Sequence, residues 1–145
     1  MGVKAGPPVN LHASAVAFGP QRGVLILGPS GSGKSRLALS LIGEGAQLVA
    51  DDQLFLCPDC GALYVRAPRP TEGLIEVRGL ALLRLAARRL ARIVLAVDMA
   101  LPQVRLPQPA ERRVGGVTLP CLPGRSDSSF ARGLAHYLQS VNMTG

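Results

Sequence analysis

Apolar residues in this chain come in short runs broken by glycine and proline, and most runs have the length of a strand. Residues 11–18 alternate large and small side chains and predict a strand, closed by a turn at Gly19-Pro20-Gln21-Arg22. Residues 23–27, GVLIL, form a continuous apolar run, as expected of a strand buried on both faces. A glycine-rich loop follows, and then residues 34–42 predict a helix with Leu37, Leu41 and Ile42 inward, ended by Gly43 and Gly45. Residues 46–50 predict a second buried strand that stops at Asp51-Asp52. Further on, 54–56 and 62–65 predict a hairpin around Cys57-Pro58-Asp59-Cys60-Gly61. Residues 74–77 and 93–97 predict strands, 82–91 a short helix, and 117–122 an edge strand. Residues 101–111 carry three prolines and read as a loop, and 130–138 predict a closing helix. There is no internal repeat and no interdomain linker. The expected organisation is a single domain over 1–145 with residues 1–9 as a loose lead-in.

Composition narrows this picture. The chain has 145 residues, 48% hydrophobic and 17% charged, with a mean hydropathy of +0.27. Such a chain can build a core and is not a disordered one. The most apolar stretch, 80–101, is interrupted by Arg84, Arg88, Arg89, Arg92 and Asp98. Each charge would cost about 2.5–3.5 kcal/mol at the centre of a membrane helix, so no span is expected. The first ten residues lack the apolar centre of a signal peptide. Cys57, Cys60 and Cys121 make an odd number, which argues against a disulfide framework. A soluble, cytoplasmic protein is expected, with no membrane partner.

A net charge of +7, from 16 Lys and Arg against 9 Asp and Glu, raises the question of nucleic acid. The arginines are scattered, and an aromatic content of 3% makes a poor stacking platform for bases. The charge points to anionic ligands, and no nucleic-acid partner is expected.

Gly28-Pro29-Ser30-Gly31-Ser32-Gly33-Lys34-Ser35 fits the phosphate-loop pattern G-x-x-x-x-G-K-[ST] at every fixed position. It also sits where that pattern must sit, between a predicted buried strand and a predicted helix. Glycines let backbone N–H groups converge on phosphate oxygens, and the helix N-terminus adds its positive end. Lys34, one of only two lysines in the chain, would place its ammonium on the β- and γ-phosphates. The Ser35 hydroxyl would ligate Mg²⁺. The cofactors expected are ATP and Mg²⁺.

Asp51 and Asp52 end a predicted strand at the edge where an open parallel sheet carries its ligand. One can support Mg²⁺ while its neighbour points at the reacting group; alone, such a pair is also a common turn former or helix cap. His12, a lone histidine in a strand of small residues, has no chemistry fixed by its surroundings in sequence. Cys57-x-x-Cys60 has zinc-like spacing but no second pair, so a hairpin knuckle or plain buried thiols are the simpler reading.

Taken together, these residues resemble the catalytic domain of the bacterial HPr kinase/phosphorylase family. The resemblance runs from Asn10 to Arg125. It rests on Asn10-Leu11-His12 ahead of the loop, the loop itself, and Leu48-Val49-Ala50-Asp51-Asp52, with Asp52 seventeen residues after Ser35. Ile75-Glu76-Val77-Arg78-Gly79-Leu80 is similar to the family's signature segment. The resemblance implies an α/β, P-loop-containing kinase domain, with a central mixed sheet flanked by few helices. It also implies a bifunctional serine kinase and phosphorylase acting on HPr, a small carrier protein of the sugar phosphotransferase system.

Position by position, the resemblance makes Lys34 the loop lysine and Ser35 and Glu76 magnesium ligands; Asp51 joins them as a metal residue from its place at the strand end. Asp52 matches the proton acceptor of phosphorylation and donor of dephosphorylation, and His12 the histidine grouped with it. Arg105, in Val104-Arg105-Leu106-Pro107, matches the family's catalytic arginine. Pro120, Gly124 and Arg125 lie in the segment linked to dephosphorylation. A homo-oligomer, hexameric in the family, is implied as well. Ala81 stands where the signature has a second glycine and Leu122 where a lysine is common. The expected protein is a short form without the N-terminal domain of longer members. From the residues alone, Glu76 and Arg78 could equally be the solvated face of a strand, and Arg105 a plain loop arginine. A small-molecule P-loop kinase and a non-catalytic ATP-binding sensor are the alternatives to a protein kinase.

Overall fold

The computed structural model describes residues 9–105 and 110–140. Residues 1–8 of the expected lead-in, and Leu106 and Pro107 beside Arg105, lie outside the described residues. Among the described residues, eleven strands, two α-helices and one short 3-10 turn at Arg69–Thr71 follow in order. The strands are β1 (Val9–Leu11), β2 (Ser14–Ala17), β3 (Gly23–Leu27), β4 (Gln47–Ala50), β5 (Leu54–Asp59) and β6 (Ala62–Arg66). After them come β7 (Leu74–Val77), β8 (Ala81–Arg84), β9 (Ala91–Asp98), β10 (Ala110–Val114) and β11 (Val117–Pro123). Helix α1 is Lys34–Gly43 and α2 is Ser128–Ser140.

One sheet runs β1-β5-β6-β9-β3-β2-β4, with β11 joining the carboxyl half of β9 and β10 outside β11. The sheet is mixed: β3 and β11 run parallel to β9, and the other pairs are antiparallel. Apolar runs such as GVLIL are continuous because both faces of the sheet are covered. Val24 and Ile26 pack with Leu37 and Leu41 of α1 and Leu134 and Leu138 of α2. Leu25, on the opposite face, packs with Leu54, Leu63, Val117 and Cys121 from strands that curl beneath it. Two helices therefore suffice, because strands close the second face.

The order β3-β2-β4 positions the site. Because β2 is antiparallel to both neighbours, β3 and β4 run in the same direction. The loop after β3 and the Asp51-Asp52 pair after β4 therefore emerge at one edge, and β2 begins there between them.

Four expectations need correction. Residues 11–18 are two strands, broken at His12-Ala13, with β1 paired to β5 and β2 to β3 and β4. No helix forms over 82–91. Leu83 and Leu85 turn inward toward the α1 side while Leu82 and Arg84 are exposed, a period of two, and the Leu85 N–H bonds to the Gly73 carbonyl at 2.7 Å. Tertiary pairing with β7 outweighs the helix preference of a Leu-, Ala- and Arg-rich segment. The strand at 117–123 is internal, because β10 lies outside it. The missed partner begins at Ala110, at the end of the segment read as a proline loop. Its signal was Gly115-Gly116, a two-residue hairpin turn with both φ angles positive (58° and 81°). The sheet is also not an open parallel one at Asp51-Asp52, since β4 pairs with antiparallel β2. Among the described residues no helix is long and apolar enough to cross a membrane.

Helix α2 starts at Asp127, whose carboxylate accepts the Phe130 N–H at 2.8 Å. That bond, with help from Arg125, holds the Asp127 carboxyl below the usual carboxylate range. A lowered folded value means stabilisation that is present above the ordinary value near 4 and lost as pH falls through the lowered one. Asp127→Ala is expected to lower the thermal midpoint at pH 7, with the gap to wild type closing below about pH 4. Thermal melts followed by circular dichroism at pH 7 and pH 3 measure it; an equal gap at both values would contradict this account.

Candidate active site

The loop 28–33 leaves the last residue of β3 and enters α1 directly. Gly28, Gly31 and Gly33 all have positive φ, and a Cβ on Gly28 would meet the Ser32 Oγ at 2.6 Å. Gly33 begins the helix with no side-chain cap, so the first-turn N–H groups of α1 are left for a ligand. The Lys34 ammonium lies over the loop, held by the carbonyls of Gly28 (2.8 Å) and Pro29 (3.1 Å). Pro29, Ser30 and Ser32 complete the loop. Among the described residues, the Ser32 Oγ is a buried hydroxyl without a hydrogen-bond partner. An orphaned donor inside a glycine cradle, beside a buried lysine, fits a phosphate group.

Behind the loop stands Asp51, only 8% exposed. Its Oδ1 accepts from the Ser35 hydroxyl at 2.7 Å and the Ser14 hydroxyl at 2.8 Å, and its Oδ2 from the Glu76 N–H at 3.3 Å. Asp52 differs from it. Its side chain is 63% exposed, its Oδ1 lies 3.3 Å from His12 Nδ1, and its backbone is left-handed with φ of 74°. The other nitrogen of His12 lies 3.2 Å from the Ser30 Oγ. The vicinal aspartates thus face opposite environments, one inward to the loop serine and one outward to solvent. A left-handed aspartate costs on the order of 1 kcal/mol, and such strain gathers at functional sites.

A cleft of about 530 Å³ opens in front of the loop, and neither His12 nor Asp51 is among its lining residues. Residues 30–35 line one wall, and Asp52, Glu76, Val77, Arg78 and Ser126 line the others. Glu76 is exposed on β7, on the face opposite buried Ile75. Ser35, Asp51 and Glu76 offer hard oxygen donors of the kind Mg²⁺ takes. Among the described residues, no group of three or more His, Cys, Asp and Glu could hold a metal by itself. A metal here would share its shell with phosphate oxygens and water, as Mg²⁺ commonly does.

Arg105 is exposed on the segment after β9 and is not among the residues lining the cleft; Arg36 and Arg78 are. Pro120 is exposed on β11, and Arg125 pairs with Asp127 at 2.8 Å. Gly124 has a packing role. A Cβ there would meet Val97 at 2.4 Å and Met99 at 2.6 Å, so glycine lets this segment pass close to the end of β9 and bring Ser126 against Gly33. Cys57 is half-buried on β5, and Cys60 is exposed in the turn of the β5–β6 hairpin.

Three groups escaped the sequence reading. Ser14, wholly buried on β2, reaches both aspartates. Asp98 ends β9 at the same sheet edge, beside Leu27, where its carboxylate caps the Ala100 N–H at 2.8 Å and pairs with Arg112. That pairing raises the Arg112 guanidinium, and burial raises the neighbouring Cys121 thiol. Asp98 could have been suspected as an acid closing an apolar run; Ser14 and Arg112 had no local signal.

A phosphate loop joining a buried strand to a helix, with a buried aspartate on its serine, defines an α/β domain of the P-loop class. The profile of the family described as HPr Serine kinase C-terminal domain matches residues 7–107, and the chain belongs to that family. It is 42% identical over 86 residues to HPr kinase/phosphorylase from Clostridium kluyveri, covering 59% of this chain and 27% of that protein. Against the protein of the same name from Mycoplasmopsis pulmonis it is 42% identical over 76 residues, covering 52% and 24%. The chain thus spans about a quarter of the length of these curated relatives. The solved HPr(Ser) kinase/phosphatase of Coxiella burnetii superposes with a TM-score of 0.75 at 24% identity, over 90% of this chain and 96% of that one, and so shares its fold.

The unequal burial of the two aspartates predicts opposite effects on stability. Asp51→Ala strands two hydroxyls and an N–H and is expected to cost about 1–3 kcal/mol. Asp52→Gly relieves a left-handed residue and is expected to gain roughly 0.5–1 kcal/mol. Urea unfolding midpoints of the two variants, run beside wild type, read both signs.

Proposed function

We propose that this chain is the catalytic domain of an ATP-dependent protein-serine kinase that phosphorylates HPr, with the reverse phosphorolysis at the same site. The observation that carries the reading is the open carboxylate of Asp52, beside His12 at the mouth of a phosphate loop whose serine is held by buried Asp51.

In this reading the loop amides, Lys34 and the first turn of α1 bind the ATP phosphates. Mg²⁺ would be held by Ser35 and Glu76, with Asp51 behind them, and would neutralise charge on those phosphates. A serine hydroxyl is a weak nucleophile, so Asp52 takes its proton as the oxygen bonds to the γ-phosphorus and ADP leaves. His12 keeps Asp52 turned toward the loop. Lys34 and the loop amides hold the charge that spreads over the transferred group, and the family resemblance assigns Arg105 to the same task. In reverse, inorganic phosphate attacks phosphoserine, pyrophosphate forms, and Asp52 returns the proton to the departing serine oxygen. One carboxylate serves both directions. HPr as substrate is supported by the names of the relatives, and a homo-oligomer rests on the family resemblance alone.

Incubation with HPr and ATP, followed by inorganic phosphate, tests the reading by intact mass. HPr is expected to gain one phosphoryl group on serine and then to lose it. Asp52→Asn is expected to slow transfer at least about a hundredfold while ATP affinity stays within threefold. Binding of ATP by wild type with no transfer to HPr would count against the proposal.

A further inference from the structure

Strand β2 carries one polar residue in an otherwise apolar stretch, Ala13-Ser14-Ala15-Val16-Ala17, and Ser14 is wholly buried. A buried hydroxyl is costly unless bonded, and this one is bonded on both sides. It donates its only proton to Asp51 Oδ1 at 2.8 Å and accepts the Asp52 N–H at 3.2 Å. Alternation along β2 places Ser14 with Val16, on the face toward α1, where Ser35 shares the same Asp51 oxygen.

We infer that Ser14 is a positioning residue that sets both aspartates at once; the inference rests on the kinase reading above and deepens it. The donated bond orients the Asp51 carboxylate toward Ser35. The accepted bond fixes the peptide plane between Asp51 and Asp52, and with it the left-handed φ of 74° that turns Asp52 outward to His12. One hydroxyl thereby couples the group behind the loop serine to the group that handles the proton. Loss of that hydroxyl frees the peptide plane to rotate, and Asp52 then leaves His12 without any change in the phosphate loop itself.

Two variants of the full chain test this, Ser14→Ala and Ser14→Thr. By amide hydrogen exchange, Ser14→Ala is expected to speed exchange of the Asp52 N–H at least tenfold, with Leu25 and Ile26 unchanged. Its kcat for transfer is expected to fall at least tenfold with KM for ATP within threefold, and Ser14→Thr, which keeps the hydroxyl, is expected to restore both. Unchanged exchange at Asp52, or equal acceleration at Leu25 and Ile26, would overturn the inference. So would a folded Ser14→Thr that leaves Asp52 unprotected, or a fall in activity wholly in KM. If wild type itself fails to phosphorylate HPr, the kinase reading falls, and the exchange measurements still decide whether Ser14 sets the two aspartates.

Discussion

The structure depends on the buried carboxylate of Asp51. Its two oxygens accept from the Ser14 hydroxyl on β2, the Ser35 hydroxyl on α1 and the Glu76 N–H on β7. A carboxylate this far from water is tolerable only when its lone pairs are engaged, and here the donors come from three separate elements. Each bond therefore acts as a tie. The helix that follows the phosphate loop, strand β2 and the hairpin that walls the cleft are all fastened to one group.

That arrangement requires a particular sheet order. In a purely parallel sheet, no strand would begin at the edge where the phosphate loop ends. Here β2 runs the other way between β3 and β4, so its first residues arrive at the site edge. His12 and Ser14 lie at that start, separated by one residue, and they address the exposed and the buried aspartate respectively. The break in the strand at His12-Ala13 lets His12 leave the sheet and reach both Asp52 and Ser30. The remaining edge is finished by β9, where Asp98 and Arg112 lock the turn that carries Met99 under the loop.

The cleft also explains a charge that looked diffuse. Lys34 is buried against the loop carbonyls, while Arg36 and Arg78 stand on the cleft walls. Other arginines are spent on structure: Arg112 on Asp98, Arg125 on Asp127, Arg88 on Gln47. Part of the positive balance therefore stands at the cleft and part is paired with side chains elsewhere in the fold.

The phosphate loop, the strands at 23–27 and 93–97, the helix after the loop and the two aspartates were legible in the sequence. Each is a local pattern with a local cause: glycine where φ is positive, unbroken apolar runs where both faces are covered, and carboxylates where a strand stops. What tertiary structure alone decided depends on residues far apart in the chain. Ser14 meets Asp51 across 37 positions, and nothing in ASAVA distinguishes a bonded buried serine from a small core filler. Residues 82–91 favour a helix locally, but 82–84 extend in β8 and 85–90 run on without a helix, because β7 offers a partner and Ile75 an anchor in the core. Which aspartate turns inward and which stays open to solvent depends on contacts with β2, which begins at that edge. A neighbouring strand's direction is written nowhere in the dipeptide itself.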